Sequence, residues 1–163
     1  AAAAGGKVLQ VISAVYSGTA TSTSATYASV SGFAAAITCA STSNKVLVHV
    51  STYIGGTQNT YAKMILKRNT TEIGSGTAGS GTTVNAFFGT GFLNESNQPY
   101  KTEALSKTFL DSPGSVSEQT YQMFLGRSYG SGTINLNGSS HYADNTTYAI
   151  LMSSTITIME IEA

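Results

Sequence analysis

Residues 154–162 read STITIMEIE, a β-branched stretch in which apolar side chains recur at alternate positions. Successive side chains of a β-strand point to opposite faces, so Ile156 and Ile158 share one face while Met159 and Ile161 lie on the other. Terminal residues usually fray unless a sheet holds them, and this stretch is apolar on both faces. The pattern therefore predicts a central strand of a sheet.

A second stretch of the same kind, KVLQVISAVY, occupies residues 7–16 near the other end of the chain. Val8, Ile12 and Tyr16 share one face of it, and a second apolar set lies on the opposite face. Pairing this run with residues 154–162 would join the two ends of the chain in one sheet. We take that pairing as the working prediction.

The composition is typical of one all-β domain. A chain of 163 residues is long enough for a single hydrophobic core, which we place in residues 7–163, with residues 1–6 as a linker, a cloning remnant or the end of a preceding segment. Only 10% of the residues are charged, against about 25% in ordinary globular domains. Helix-forming residues are scarce, and Thr, Val, Ile and Tyr are plentiful.

Charge and cysteine content limit the possible partners. Eight basic and eight acidic residues cancel, so no strong field attracts nucleic acid or draws the chain into an anionic membrane. Cys39 is the single cysteine, so the sequence has no internal disulfide framework. We interpret Cys39 as a small buried hydrophobic residue.

Turn-forming residues divide the chain into about nine or ten short strands, which predicts a two-sheet sandwich or a barrel. In residues 60–68 the face with Tyr61, Lys63, Ile65 and Lys67 is expected to be largely wet. In residues 101–110 the polar face is expected to carry the charged side chains of Lys101, Glu103 and Lys107. The predicted strands are 7–16, 27–30 and 33–38 (hinged at Gly32), 45–54, 60–68, 82–88, 101–110, 119–125, 133–136, 148–152 and 154–162.

Three of these strands differ from the rest because they are apolar on both faces: the two terminal runs and residues 45–54. Only one face of a strand can meet the core of a two-layer sandwich. Covering the second face would gain on the order of 10 kcal/mol, and copies of the same chain are the simplest cover. The predicted oligomer interface is Leu9, Val11, Val15, Leu47, His49, Tyr53, Met159 and Ile161.

Four segments carry a resemblance to a known family: residues 6–11 (GKVLQV), 41–48 (STSNKVLV), 108–113 (TFLDSP) and 154–161 (STITIMEI). They resemble small β domains of bacteriophage virion proteins, notably tail-fibre and appendage proteins of marine and cyanobacterial phages. The resemblance implies a jelly roll similar to the tumour-necrosis-factor and C1q heads, assembled as a homotrimer. In such folds the first and last strands are neighbours in the sheet nearest the threefold axis.

Residues that could carry catalysis or hold a metal are few. His49 lies between Val48 and Val50 in a buried-type strand, where a structural or interface role is expected. His141 is close to Asp144 in a polar loop, but two ligands do not define a metal site. The glycine-rich residues 74–81 lack the Lys-Ser/Thr ending of a phosphate-binding loop and lead into a strand. We therefore predict a non-enzymatic protein without a cofactor.

Binding by loop side chains is the remaining possibility. Tyrosine has an apolar ring and a polar tip, which suits weak recognition of sugars in water. The candidate ligand-binding residues are Tyr100, Arg127, Tyr129, His141 and Tyr142.

The sequence thus predicts a trimeric fibre or appendage head domain of a phage virion. We expect it to bind copies of itself and other virion proteins, and to contact a host-surface glycan or protein. One alternative is a purely architectural decoration or adaptor protein, and another is a stand-alone carbohydrate-binding module. A small hydrolase is the least favoured.

Overall fold

The computed structural model describes residues 6–77, 84–92, 101–139 and 150–163, and these form β-strands joined by turns and loops. The strands are β1 (Val8–Tyr16), β2 (Ala20–Ser22), β3 (Ala28–Ile37), β4 (Lys45–Gly56), β5 (Thr60–Arg68), β6 (Thr71–Ile73), β7 (Phe88–Phe92), β8 (Thr102–Asp111), β9 (Gln119–Tyr129), β10 (Ile134–Leu136) and β11 (Ser154–Ile161).

The strands form two antiparallel sheets packed face to face. The first sheet has six strands in the order β1-β11-β4-β10-β2, and β8 pairs with the other edge of β4. The second has five strands in the order β3-β9-β5-β6, with β7 also paired to β5. The predicted all-β sandwich is confirmed.

The terminal strands are neighbours, as the sequence predicted. β1 and β11 form an antiparallel ladder in which Val11 lies opposite Met159 and Ile12 opposite Ile158. Three further ladders are nested inside this one along the chain: β3 with β9, β4 with β8, and β5 with β7. Each ladder in this series encloses the next, as in a long hairpin folded back on itself. The pairing of β4 with β11 and of β5 with β9 joins the nested pairs into the two sheets.

The core lies between the inner faces of the sheets, where alternate residues of each strand meet. Cys39 belongs to it and is 2% exposed, which confirms the interpretation of that residue. The central core side chains are Val46, Val48, Val50, Ile156 and Ile158 from the first sheet and Phe33, Ile37, Met64, Leu66, Tyr121, Met123 and Leu125 from the second.

A buried ion pair joins the two sheets at one end of this core. Asp111 of β8 accepts a 2.7 Å hydrogen bond from the Arg68 guanidinium of β5 and a 2.8 Å bond from the Tyr121 hydroxyl of β9. Asp111 is 6% exposed, so each partner compensates part of the cost of burying the carboxylate. The contact fixes the separation of the sheets at this end.

A second buried carboxylate, Glu160 of β11, faces the core in the same cross-strand row as Asp111. It is 1% exposed. It accepts hydrogen bonds from Gln10 Nε2 (2.6 Å), the Ala40 backbone N–H (2.7 Å) and Asn44 Nδ2 (2.6 Å). Burial alone would raise the pKa of this carboxyl, but the three donors outweigh burial and hold the pKa below its ordinary value. Glu160 thereby ties β11 to β1 and to the turn between β3 and β4.

In the strand at residues 101–110, the face that packs on the core is the one that was expected to be polar and exposed. Leu105, Lys107 and Phe109 face the second sheet, and their exposed neighbours are uncharged. The Lys107 ammonium donates to the Gly74 carbonyl at 2.6 Å and lies 4.5 Å from the centre of the Phe87 ring. The expectation was wrong because the lysine stem covers apolar surface while its charged end reaches a carbonyl.

Strand boundaries also differ where glycine suggested a loop. The sequence predicted a strand over residues 82–88, but the observed strand is β7, and residues 84–86 are not strand. Residues 150–152 of the predicted strand 148–152 are likewise not strand. β7 contains Gly89 and Gly91, which fit an edge strand because β5 opposite supplies the side chains.

We expect Glu160→Gln to lower the free energy of unfolding by about 1–3 kcal/mol at pH 7. The amide has one oxygen instead of two, so its N–H group would face one of the three donors that now bind the carboxylate. The folded-state pKa is depressed, so the stabilisation by Glu160 is present above the unfolded pKa and is lost as the pH falls through the folded pKa. Urea unfolding from pH 7 to pH 3 should therefore show the two proteins converging in acid.

The matched control is Glu118→Gln, which changes an exposed glutamate. It should leave the free energy of unfolding nearly unchanged throughout. A Glu160→Gln deficit of the same size at every pH would contradict the hydrogen-bonded carboxylate.

Candidate functional site

The outer face of the first sheet carries a continuous apolar row across four strands. Val11 lies opposite Met159, Met159 opposite Leu47, and Leu47 opposite Leu110. Val11 is 56% exposed and Leu110 is 54% exposed, whereas Met159 and Leu47 are half-buried between their neighbours. We call these four residues the apolar row.

The next row on this face is polar but uncharged. It consists of Ser13, Thr157, His49 and Thr108, in register across the same four strands. The Ser13 and Thr157 hydroxyls are 2.9 Å apart, and His49 Nδ1 lies 3.0 Å from the Thr108 hydroxyl. The three hydroxyls and His49 Nδ1 are thus paired within the chain, which lowers the cost of covering this row.

Seven of the eight predicted interface residues lie on this outer face, and Leu9 lies where the register of β1 shifts between Val8 and Gln10. Leu9, Val11 and Val15 are exposed, and the other five are half-buried. Because of the shift Val8 pairs with the outward-facing Ile161, so the predicted grouping of Val8 with Ile12 and Tyr16 was wrong.

The prediction missed Leu110, which extends the apolar row onto β8. Leu110 follows Ala104, Ser106 and Thr108 at alternate positions of the strand. It was missed because this face of the strand was expected to pack on the core.

The outer face of the second sheet is different because lysine side chains lie over aromatic rings. Lys67 Nζ is 4.7 Å from the centre of the Phe124 ring, and Lys63 Nζ is 4.4 Å from the centre of the Tyr27 ring. This face was expected to be largely wet, but Lys63 is only 9% exposed and Ile65 only 2%. The expectation was wrong because other parts of the chain, including Tyr27, cover these residues.

A groove of about 320 Å³ opens on this face beside the edge strand β7. Gly89 lies opposite Lys63 and Gly91 opposite Tyr61, so two side chains of β5 border a floor made of glycine. The remaining lining residues are Ala62, Val84, Ala86, Thr90 and Ser128. We call this feature the glycine groove.

The Tyr61 ring is held in place at one end of the glycine groove. It contacts the Tyr129 ring edge-on, with centroids 5.9 Å apart and planes at 76°. A methyl group at Gly91 would lie 2.5 Å from Tyr61 Cε1, so the ring lies directly against this glycine. The ring therefore has neighbours that fix its position at the groove.

Of the predicted ligand-binding residues, Tyr129 lies beside the glycine groove and is 66% exposed. Arg127 is used within the fold, since its guanidinium donates to the Gly132 carbonyl at 2.9 Å. Tyr100, His141 and Tyr142 lie outside the described residues. The groove itself could not be predicted, because its Tyr61 and Gly91 are distant in sequence and meet only through strand pairing.

No family model and no curated protein matches this chain. In the described residues, no helix is long and apolar enough to cross a membrane. The same residues contain no group of three His, Cys, Asp or Glu side chains that could hold a metal ion.

Two glycines of β7 provide a matched test of the groove geometry. Gly91→Ala places its new methyl group against the Tyr61 ring and should lower the free energy of unfolding by about 1–3 kcal/mol. Gly89→Ala meets only the Ala62 carbonyl at 3.9 Å, so we expect a change within about 1 kcal/mol. Urea unfolding measures both, and equal losses would contradict the contact between Gly91 and Tyr61.

Proposed function

We propose that this chain is a non-enzymatic structural subunit of a phage virion. It assembles as a homotrimer through the outer face of its first sheet. The trimer serves as the head domain of a fibre or appendage that contacts the host surface. The observation that carries the proposal is the apolar row. Four large apolar side chains aligned across four strands form a contiguous surface, unlike the scattered single residues common on monomers.

The strand pairing supports a jelly roll of the kind that the sequence resemblance implies. When the eight strands of the four nested ladders are numbered in chain order, they pair first with last, second with seventh, third with sixth and fourth with fifth. A jelly roll is such a rolled-up hairpin in two sheets. The first and last strands are thereby neighbours in the sheet that carries the apolar row.

Copies of the same chain suit this face because it is almost uncharged. In the described strands β1, β11, β4 and β8, the outward side chains include one charged group, Lys45 at the end of β4, and no carboxylate. Identical surfaces can therefore meet without repulsion between like charges. Covering Val11, Leu110 and their neighbours also removes apolar surface from water.

The outer face alone is smaller than a stable pairwise interface, so the proposed ring must also bury surface at the edges of the sheet. Four strands about 4.8 Å apart and eight residues at about 3.3 Å each outline roughly 500 Å². A stable pairwise interface buries about 800 Å² on each partner. In a ring of three every chain contacts two neighbours, and the assembly closes on itself instead of growing into a filament.

The assembly is tested by Val11→Glu. Wild-type protein should have three times the 16.8 kDa mass of the chain by light scattering, and the variant should have the mass of one chain. Val11 is 56% exposed in the single chain, so its glutamate is solvated there and the sheet should still fold. In the trimer the same carboxylate would enter an apolar contact without a partner.

The control is Val116→Glu, the same substitution at a residue 53% exposed in the loop after the Pro113-Gly114 turn. It should keep the trimeric mass. A monomeric wild type, or a Val11→Glu variant that remains trimeric, would reject assembly through this face.

The virion role has its own test. Mass spectrometry of gradient-purified particles of the virus that encodes the chain should detect the protein in a fixed ratio to the other structural proteins. Its absence from purified particles would reject the virion role, whatever the oligomeric state.

A further inference from the structure

Lys63 lacks an anionic partner although it is almost fully buried. It is 9% exposed, and its ammonium lies over the face of the Tyr27 ring, 4.4 Å from the centre. The ion pairs of the described residues do not include Lys63. The Tyr27 hydroxyl is used elsewhere, since it donates to the Asn85 carbonyl at 2.7 Å. Burial, together with the charge of Glu72, raises the pKa of Tyr27 to about 12, so this phenol stays neutral and does not balance the lysine.

The Lys63 side chain is part of the lining of the glycine groove. Lys63 lies opposite Gly89 of β7 and opposite Gly126 of β9, and neither neighbour has a side chain. Buried cations are normally paired because their desolvation is costly. An anionic group that enters the groove would supply the missing partner for Lys63.

The rest of the groove suits a sugar ring. Tyr61 offers an aromatic ring beside a floor of two glycines, and Thr90 and Ser128 place hydroxyl-bearing residues along the walls. β7 is paired only with β5 among the described strands, so its other edge presents backbone donors and acceptors to hydroxyl groups. A volume of about 320 Å³ is at the lower end of the range for ligand pockets and suits one small ring.

We propose that the glycine groove binds an acidic saccharide unit, with the sugar ring against Tyr61 and the carboxylate or sulfate group paired with Lys63. Every residue required belongs to one chain and lies on the sheet opposite the apolar row. The biological source of the ligand, a host-surface glycan, rests on the proposed function, but the binding itself does not.

The test is a titration followed by the amide NMR signals of Gly89 and Gly91. Methyl glucuronide should bind about tenfold more tightly than methyl glucoside, because the pair with a charged group adds to the ring contacts. Methyl galactoside 6-sulfate distinguishes a sulfate from a carboxylate as the preferred group. Sodium acetate supplies the charge without the ring and should bind more weakly than either charged sugar.

Lys63→Met keeps the length of the side chain and removes the charge. It should abolish the preference for the charged sugar. The variant also loses the contact between the ammonium and the Tyr27 ring, so its melting temperature is compared with that of a variant that loses an equivalent contact. The matched control is Lys67→Met on the same strand, where a lysine also lies over an aromatic ring, Phe124 at 4.7 Å, but is not part of the groove lining. Lys67→Met should bind as wild type does.

Three results would overturn the inference: no binding of either charged sugar to wild-type protein, equal binding of charged and neutral sugars, or acetate binding as tightly as the glucuronide. The titration is repeated on Val11→Glu. A wild-type protein that is monomeric but binds the glucuronide would support the groove and reject the assembly. A trimeric wild type that does not bind the glucuronide would support the assembly and reject the groove.

Discussion

The ladder between β1 and β11 is the contact on which the rest of the fold depends, because it joins segments about 150 residues apart and encloses the other long ladders. A chain folded in this way must bring its ends together before the outermost ladder can form. Glu160 stabilises that closure from the inner side, where Gln10 of β1 and Asn44 beside β4 donate to the same carboxylate. Both ends of the chain are therefore fixed at one place in the core.

A two-layer sandwich leaves the outer face of each sheet without a further layer, and this protein treats its two outer faces differently. On the second sheet, the ammonium groups of Lys63 and Lys67 lie over aromatic rings, so long polar side chains cover apolar surface. Among the described residues the first sheet has no lysine over an aromatic ring on its outer face, and its short uncharged side chains leave Val11 and Leu110 exposed. This contrast is the reason for proposing self-association at one face and ligand binding at the other.

The sequence predicted the parts of the fold that period-two alternation determines. The pairing of the terminal strands and the apolar residues on both faces of β4 could be predicted because Val, Ile and Leu recur at alternate positions over eight or more residues. The inner face of β8 could not be predicted from alternation, because Lys107 is polar in the pattern but its ammonium lies over the Phe87 ring in the structure. The glycine groove was equally hidden, because it consists of Gly89 and Gly91, where side chains are missing, and glycine in a sequence reads as a loop.

The two proposed surfaces are geometrically compatible because they lie on opposite sides of one sandwich. If the first sheets of three chains face a common axis, the second sheets must face outward, and each presents its glycine groove to solvent. A groove that holds one charged sugar ring binds weakly by itself, but three grooves on a rigid ring can engage a dense surface glycan together, so the overall affinity exceeds that of one site without any new contact.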